Sequence, residues 1–314
     1  MRLRARAGMT EEHTLRHFET LADYRACVAL QEEIWGAGFS ERVPLAILKV
    51  GQSLAGVSAG AFTPSGRLDG FVFGLTGLDE DGAPVHWSDM LAVRPGVAGS
   101  GLGTRLKAFQ RDALLARGVS RMLWTFDPLR ARNAYLNLGK LGAVVREYRR
   151  DMYGDTDSVL HRGIGTDRFV TSWDLDHERT RARLARTLGE DVGASDASAT
   201  FLPAAEAVPP ALSATTDGEL PRPGSPRFDL DGTHDRVGVA IPADLGMILE
   251  RDPDLAASWR EATRSVFVHY LGRRFEVREL LRGPVVATYV LARRSAPDEP
   301  GEGAKPATAP EDRF

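Results

Sequence analysis

Leu91-Ala-Val-Arg-Pro-Gly-Val-Ala-Gly-Ser-Gly-Leu-Gly-Thr-Arg-Leu-Lys107 is the stretch that decides how this chain folds. An apolar strand end runs into Pro95, and glycines follow at 99, 101 and 103. Leu102, Leu106, Phe109 and Ala113 then recur at helical spacing. The first turn of a helix leaves N–H groups without intrahelical partners and carries the positive end of the helix dipole. A bend without side chains at that point lets an anion such as a pyrophosphate reach the backbone. Ala98, Gly99, Ser100, Gly101, Leu102, Gly103 and Thr104 are therefore candidate anion ligands through their main chain. Taken alone, three nearby glycines fit a plain strand–turn–helix link equally well.

Two nucleotide-binding patterns fail on spacing. A P-loop closes with Gly-Lys-Ser/Thr, but Gly103 is followed by Thr104-Arg105. A dinucleotide fingerprint needs a third small residue where Thr104 stands. The strand leading in, Val85 to Val93, also carries His86, Ser88 and Asp89 and lies mid-chain rather than opening a βαβ repeat.

Val93, Pro95, Gly99, Gly101 and Gly103 match Val-x-Pro-x-x-(Arg/Gln)-Gly-x-Gly-x-(Gly/Ala) in register. The stretch thus resembles the acyl-CoA loop of the GNAT superfamily of N-acyltransferases, with Ala98 in place of the basic or amide residue. Lys140-Leu141-Gly142 resembles the Tyr-x-Lys-Leu-Gly-Phe end of a later helix in that family. The resemblance covers residues 10 to 175 and points to a bacterial branch with an extra C-terminal module. It implies an α+β fold, with a mixed, mostly antiparallel sheet flanked by helices. It also implies acetyl-CoA or another acyl-CoA as co-substrate, no metal, and a small-molecule primary amine, such as an amino acid, as acceptor. A cytoplasmic enzyme, free or as a homodimer, fits that picture.

Outward from the glycine bend, pattern and turn signals predict the remaining elements. A strand is expected over Thr14 to Glu19, and a helix over Ala22 to Trp35 with Cys27 as a small core residue. A second helix should open at Val43-Pro44 and run to Ser53. Val57 to Phe62 and Gly70 to Leu75 read as strands parted by the hairpin signal Pro64-Ser-Gly66. Arg121 to Phe126, Ala143 to Tyr153 and Arg168 to Asp174 read as strands, and Leu129 to Leu141 as a helix stopped by Gly142. Further on, Val237 to Ile241, a helix from Asp252-Pro253, and strands over Phe275 to Leu281 and Val285 to Leu291 make a smaller β-α-β-β module. The expected division is a flexible N-terminus (1–12), an acyltransferase-like domain (13–175), a linker with a short helix at its start (176–226), the C-terminal module (227–294) and a disordered tail (295–314).

Composition sets broad limits. The 314 residues are 43% hydrophobic and 26% charged with a net charge of -3, ordinary for a globular protein and unlike the basic surface of a nucleic-acid binder. Cys27 is the single cysteine, so no disulfide can form within the chain. No run approaches the roughly 20 apolar residues of a membrane span, and the basic opening residues are not followed by the apolar segment of a secretory signal.

Acyl transfer to an amine needs a neutral nucleophile and a polarised thioester. Asp89 lies four residues before Val93, where the resemblance implies a glutamate-like base acting through water; a solvent-facing or arginine-paired carboxylate is the competing reading. The resemblance implies that the Leu91 N–H meets the thioester oxygen and that Val93, with Ala92 between them, lies along the pantetheine arm. It places the general acid at Leu138, which has no proton to give; Tyr135, one turn earlier, is the alternative donor or else a core residue. Asn133 is a candidate for the pantetheine or acyl group. Asp127 and Arg130 are candidates for the acceptor's amine and carboxylate, or for an ion pair of their own. His13 and His17 lack companions at metal-ligand spacing, and Arg105, Lys107 and Arg111 read most simply as a solvated helix face. A non-catalytic acyl-CoA-binding protein of the same fold is the competing functional class, favoured by Ala98 and Leu138.

Overall fold

The computed structural model describes residues 12–154, 164–189 and 208–294. The expected flexible N-terminus (all but residue 12), part of the expected linker and the tail from 295 lie outside the described residues. In chain order the elements are β1 (Thr14–His17), α1 (Leu21–Trp35), α2 (Leu45–Ser53), β2 (Val57–Phe62), β3 (Leu68–Leu78) and β4 (Pro84–Val93). They continue with α3 (Leu102–Leu115), β5 (Arg121–Phe126), α4 (Ala131–Ala134, wound on as a π-helix over Tyr135–Lys140), β6 (Val144–Arg149), β7 (Arg168–Asp174) and α5 (Glu178–Leu188). The rest are β8 (Pro210–Leu212), β9 (Ala214–Thr215), β10 (Arg222–Pro223), β11 (Arg236–Pro242), α6 (Leu245–Arg251), α7 (Pro253–Leu271), β12 (Phe275–Leu281) and β13 (Val286–Arg293).

Local chemistry accounts for the helix starts. Thr20 and Asp23 form a reciprocal capping box at α1, and Asp23 also binds Arg16 through both carboxylate oxygens. Asp252 caps α7 by accepting the Leu255 N–H, with Pro253 in the first turn, where its missing N–H costs nothing. α1 and α2 cover one face of the first sheet half, burying Cys27, Leu30 and Leu48 against Phe71 and Phe73. Helix α3 covers the other face, burying Leu102, Leu106 and Leu114 with Met122, Trp124 and Trp173. With helices on both sides, every residue of β2 is buried.

Among the described residues eleven strands form one sheet, in the order β1-β2-β3-β4-β5-β7-β6-β12-β13-β11-β8. Every pairing in it is antiparallel except β4 with β5 and β8 with β11. The α+β class and the mostly antiparallel sheet expected from sequence are present. The order from β4 to β8 is a palindrome about the β6–β12 contact, where Val145 faces Val277. Each half runs outward through two antiparallel pairings to a parallel one. Both β6 and β12 carry a bulge within the same tripeptide, Val145-Arg146-Glu147 and Val277-Arg278-Glu279. The C-terminal module is thus an approximate two-fold partner of the β5–β7 unit, joined edge to edge with it.

The seam is shared rather than merely touching. Phe126, Leu138 and Phe169 enter one apolar cluster with Trp259, Phe267, Tyr270 and Tyr289. Around it, Arg264 grips Asp167 through two 2.7 Å contacts, and Arg260 Nη2 donates to Asp127 at 2.8 Å. Glu279 takes Arg183 and lies 3.6 Å from Arg179. The region 176–226 is correspondingly not a free connector where it is described. Helix α5 buries Thr180, Ala182 and Leu184, and β8 becomes the outer strand beside β11. Its Pro- and Ala-rich composition concealed this because the pairing is made by main chain.

Asp127 and Arg260 are each about 4% exposed, so deleting one strands the other's charge. Arg260→Met is expected to lower unfolding stability by about 3–5 kcal/mol in urea titrations. A loss below about 1 kcal/mol would show that the pair does not hold the seam.

Candidate functional site

The two central strands part company soon after they meet. β4 and β5 pair only from Val85–Arg121 to Trp87–Leu123. β5 continues on β7 to Phe126 and β4 continues on β3 to Val93, leaving a fork between them. Arg94 N–H donates to Asp69 O at 2.8 Å across β3. Main-chain groups alternate sides along a strand, so those of Ala92 and Met90 also face β3. Those of Leu91 and Val93 therefore face the open fork.

A bulge sits at the point of the fork. Phe73 opposes Met90 and Leu75 opposes Trp87, so Ser88 and Asp89 together face Gly74. Gly74 admits no side chain, because a Cβ there would lie 2.3 Å from His86 Nε2 and 2.4 Å from Trp87 O. The extra residue resets the alternation of side chains. His86 and Ser88 point toward α3, as Leu91 and Val93 do, while Met90 and Ala92 enter the α1–α2 core. Strict alternation from Val93 would have sent Asp89 toward α3 as well; the bulge instead sets it beside Trp87. Asp89 is open to solvent, yet protein crowds its carboxyl closely enough that desolvation raises its pKa, partly offset by the Trp87 side chain. Leu75, Trp87, Leu123 and Ser172 form one cross-strand row on this face, and none of the four is fully buried. An open floor thus leads to Asp89.

The glycine bend lies at the mouth of the fork, exposed on the surface over Ala98 to Ser100. Pro95–Val97 makes a tight 3-10 turn, then Gly99 and Gly101 take φ of 92° and 87° in the left-handed region that glycine tolerates. A Cβ at either would stand in open space, so backbone conformation and not crowding calls for glycine there. The N–H groups of Ala98, Ser100 and Thr104 are satisfied by Pro95, Val97 and Gly101 carbonyls. Those of Gly99, Gly101, Leu102 and Gly103 have no acceptor among the described residues, and α3 has no side-chain cap. Four free donors at a helix N-terminus make an anion cradle.

The remaining candidates separate. Asp127 does not face the fork; it is buried, accepting from Arg260 Nη2 and the Leu129 N–H, with Arg130 Nε 4.0 Å from its second oxygen. Tyr135 packs its ring on Gly139 and under the Arg282 guanidinium, 4.8 Å away, at the seam with the C-terminal module. Asn133 is exposed and Leu138 fully buried. The π-winding of Tyr135–Lys140 shifts helix faces relative to a regular α-helix and carries Leu138 inward. His13 is taken by Asp69 at 2.9 Å.

Lys107 overturns the expected solvated face of α3. Arg105 and Arg111 reach out to the His13 and Leu175 carbonyls, but Lys107 is 2% exposed. Its Nζ donates to Ser88 Oγ at 2.7 Å and to Gln110 Oε1 at 3.2 Å, lies 3.5 Å from Met122 Sδ and sits over the Trp124 ring. Gln110 Nε2 donates to His86 Nε2, and Thr76 donates to the Ala55 carbonyl. The His86 proton is therefore on Nδ1, donated to Thr76 Oγ1 at 2.9 Å. Burial pushes Lys107 down to about 7 and His86 down to about 3. Sequence pattern missed this network, although Lys107, Gln110 and Leu114 do share helical spacing with one another.

No protein-family model and no curated protein matches the chain. Solved structures that resemble part of it include the ribosomal-protein-S18-alanine N-acetyltransferase from Escherichia coli. That structure is 20% identical, with 53% of this chain and 96% of that one aligned and a TM-score of 0.40. A GNAT superfamily phosphinothricin acetyltransferase from Sinorhizobium meliloti, in complex with AcCoA, is 15% identical over 52% and 88%, with a TM-score of 0.43. An acetyltransferase of GNAT family from Streptococcus pneumoniae is 16% identical over 51% and 98%, with a TM-score of 0.42.

Lys107 also sets a pH signature. Its folded pKa lies near 7 against 10.5 ordinarily, so between these values the unfolded chain binds more protons and stability rises with pH. The penalty is complete below about pH 7. Lys107→Met is expected to raise Tm most at pH 6 and least near pH 10; an equal shift at both would show the lysine is not buried as an amine.

Proposed function

We propose that the chain is an acyl-CoA-dependent N-acyltransferase, moving an acetyl or other short acyl group to a primary amine of a small molecule within a ternary complex. The observation that carries this reading is the cradle of four free N–H groups at the mouth of a fork whose β4 wall offers open main chain. In this role Gly99, Gly101, Leu102 and Gly103 bind the diphosphate of the thioester carrier, as a helix N-terminus binds phosphate. Val93 and Ala92 line the pantetheine arm, and Asn133 faces it from the first turn of α4. The Leu91 N–H polarises the thioester carbonyl, a contribution of a few kcal/mol for one oriented donor.

The amine approaches from the Trp87–Leu123 face. Asp89 removes its proton through water, the nitrogen attacks the thioester carbon, the C–S bond breaks and the CoA thiolate leaves. A raised carboxyl pKa suits Asp89 to this task, since a base is more effective as its pKa nears the working pH. Asp127 and Tyr135, committed to the seam, are left out of the reacting group, and no side chain is assigned to protonate the thiolate.

Thiol release on mixing acetyl-CoA or succinyl-CoA with a panel of amines tests the proposal; tight binding with no release for any pair would favour a non-catalytic acyl-CoA sensor. Gly101→Val is expected to abolish acetyl-CoA binding by calorimetry while the chain stays folded, since the left-handed position costs about 1–2 kcal/mol. Asp89→Asn should lower kcat about 100-fold with acetyl-CoA affinity unchanged. Undiminished turnover would remove Asp89 as the base.

A further inference from the structure

We propose that Lys107 is a strut set across the β4–β5 fork, a positioning residue that aims the Ser88–Asp89 bulge without joining the reacting group. The role in aiming Asp89 rests on the acyltransferase reading above. The placement itself rests on geometry alone.

The last paired residues of the two strands are Trp87 and Leu123. The next residue on each is Ser88 and Trp124, and Lys107 Nζ reaches both, at 2.7 Å from Ser88 Oγ and 4.2 Å from the Trp124 ring centre. One side chain from α3 therefore touches both walls where they begin to diverge. Ser88 Oγ is held again by Gln110 Oε1 at 3.1 Å, so the bulge is fixed on its inner side by two residues one helical turn apart. Asp89 projects on the opposite face, and its direction follows from how Ser88 is tied down.

Among the described residues no carboxylate pairs with Lys107. β4 presents Ser88 and neutral His86, β5 presents Met122 and Trp124, and α3 itself presents Gln110. Arg117 adds only like charge near His86. A buried amine without an anionic partner costs stability that an apolar side chain would not. A contribution to stability therefore does not account for this lysine, and a geometric one at the fork does.

The test uses the full chain with Lys107→Met and Ser88→Ala. In the ligand-free protein, amide exchange at Ser88 to Met90 is expected to quicken at least tenfold in both variants, with Leu102 to Leu106 unchanged. In turnover, kcat should fall at least tenfold while the acetyl-CoA Kd stays within threefold. In the wild type a step in kcat near pH 7 is expected as Lys107 titrates, and it should vanish in Lys107→Met. Unchanged exchange at the bulge overturns the strut, as does an active variant with wild-type kcat and pH profile. If the wild-type protein transfers no acyl group to any amine, the acyltransferase reading falls, and the exchange measurement alone decides the strut.

Discussion

The early end of the β4–β5 pairing is the constraint on which the rest of the site depends. Two parallel strands that stayed paired would satisfy their main chain against each other and leave nothing to offer a ligand. Here three residue pairs hold them together and then the bulge at Ser88–Asp89 bends β4 away. That one extra residue opens the fork, frees the main-chain groups of Leu91 and Val93, and turns Asp89 to the face opposite α3. Gly74 is the permissive partner, since any side chain there would collide with His86.

Around the fork, the molecule keeps charge in paired, interior places and leaves main chain exposed where an anion would bind. Asp127, Asp167 and Glu279 all lie on the seam, each met by arginine. Lys107 differs: it is a buried amine whose hydrogen bonds go to the neutral side chains of Ser88 and Gln110. Natural sequences tolerate such a cost chiefly at sites where function needs a fixed geometry.

The approximate two-fold about Val145 and Val277 explains why the C-terminal module has no separate core. Its β12 edge is covered by β6, and aromatic residues from both halves interlock in rows such as Phe126, Phe169, Phe267 and Tyr289. The module ends in a parallel pair, β8 beside β11, as the first half does, but no glycine bend and helix connect those two strands. Of these two parallel pairs, only β4–β5 carries the glycine bend and helix start that make an anion cradle.

Much of this was legible in the linear chain. Apolar pattern located β2, β5, β7 and β12 to the residue, because each is long enough for its burial pattern to show. The glycine bend was legible because left-handed backbone and absent side chains are properties of glycine itself. The strand order was not, since apolar pattern marks a strand but not its neighbour; nor were the pairing of Val-Arg-Glu with its copy and the capture of Asp127 by Arg260, each of which joins residues more than a hundred positions apart. The direction of Asp89 turned on a single bulge residue, which reverses side-chain parity without leaving a mark in the sequence, and the burial of Lys107 on how α3 packs across the sheet. Local backbone preference determined the cradle; long-range strand pairing decided which side chains face it.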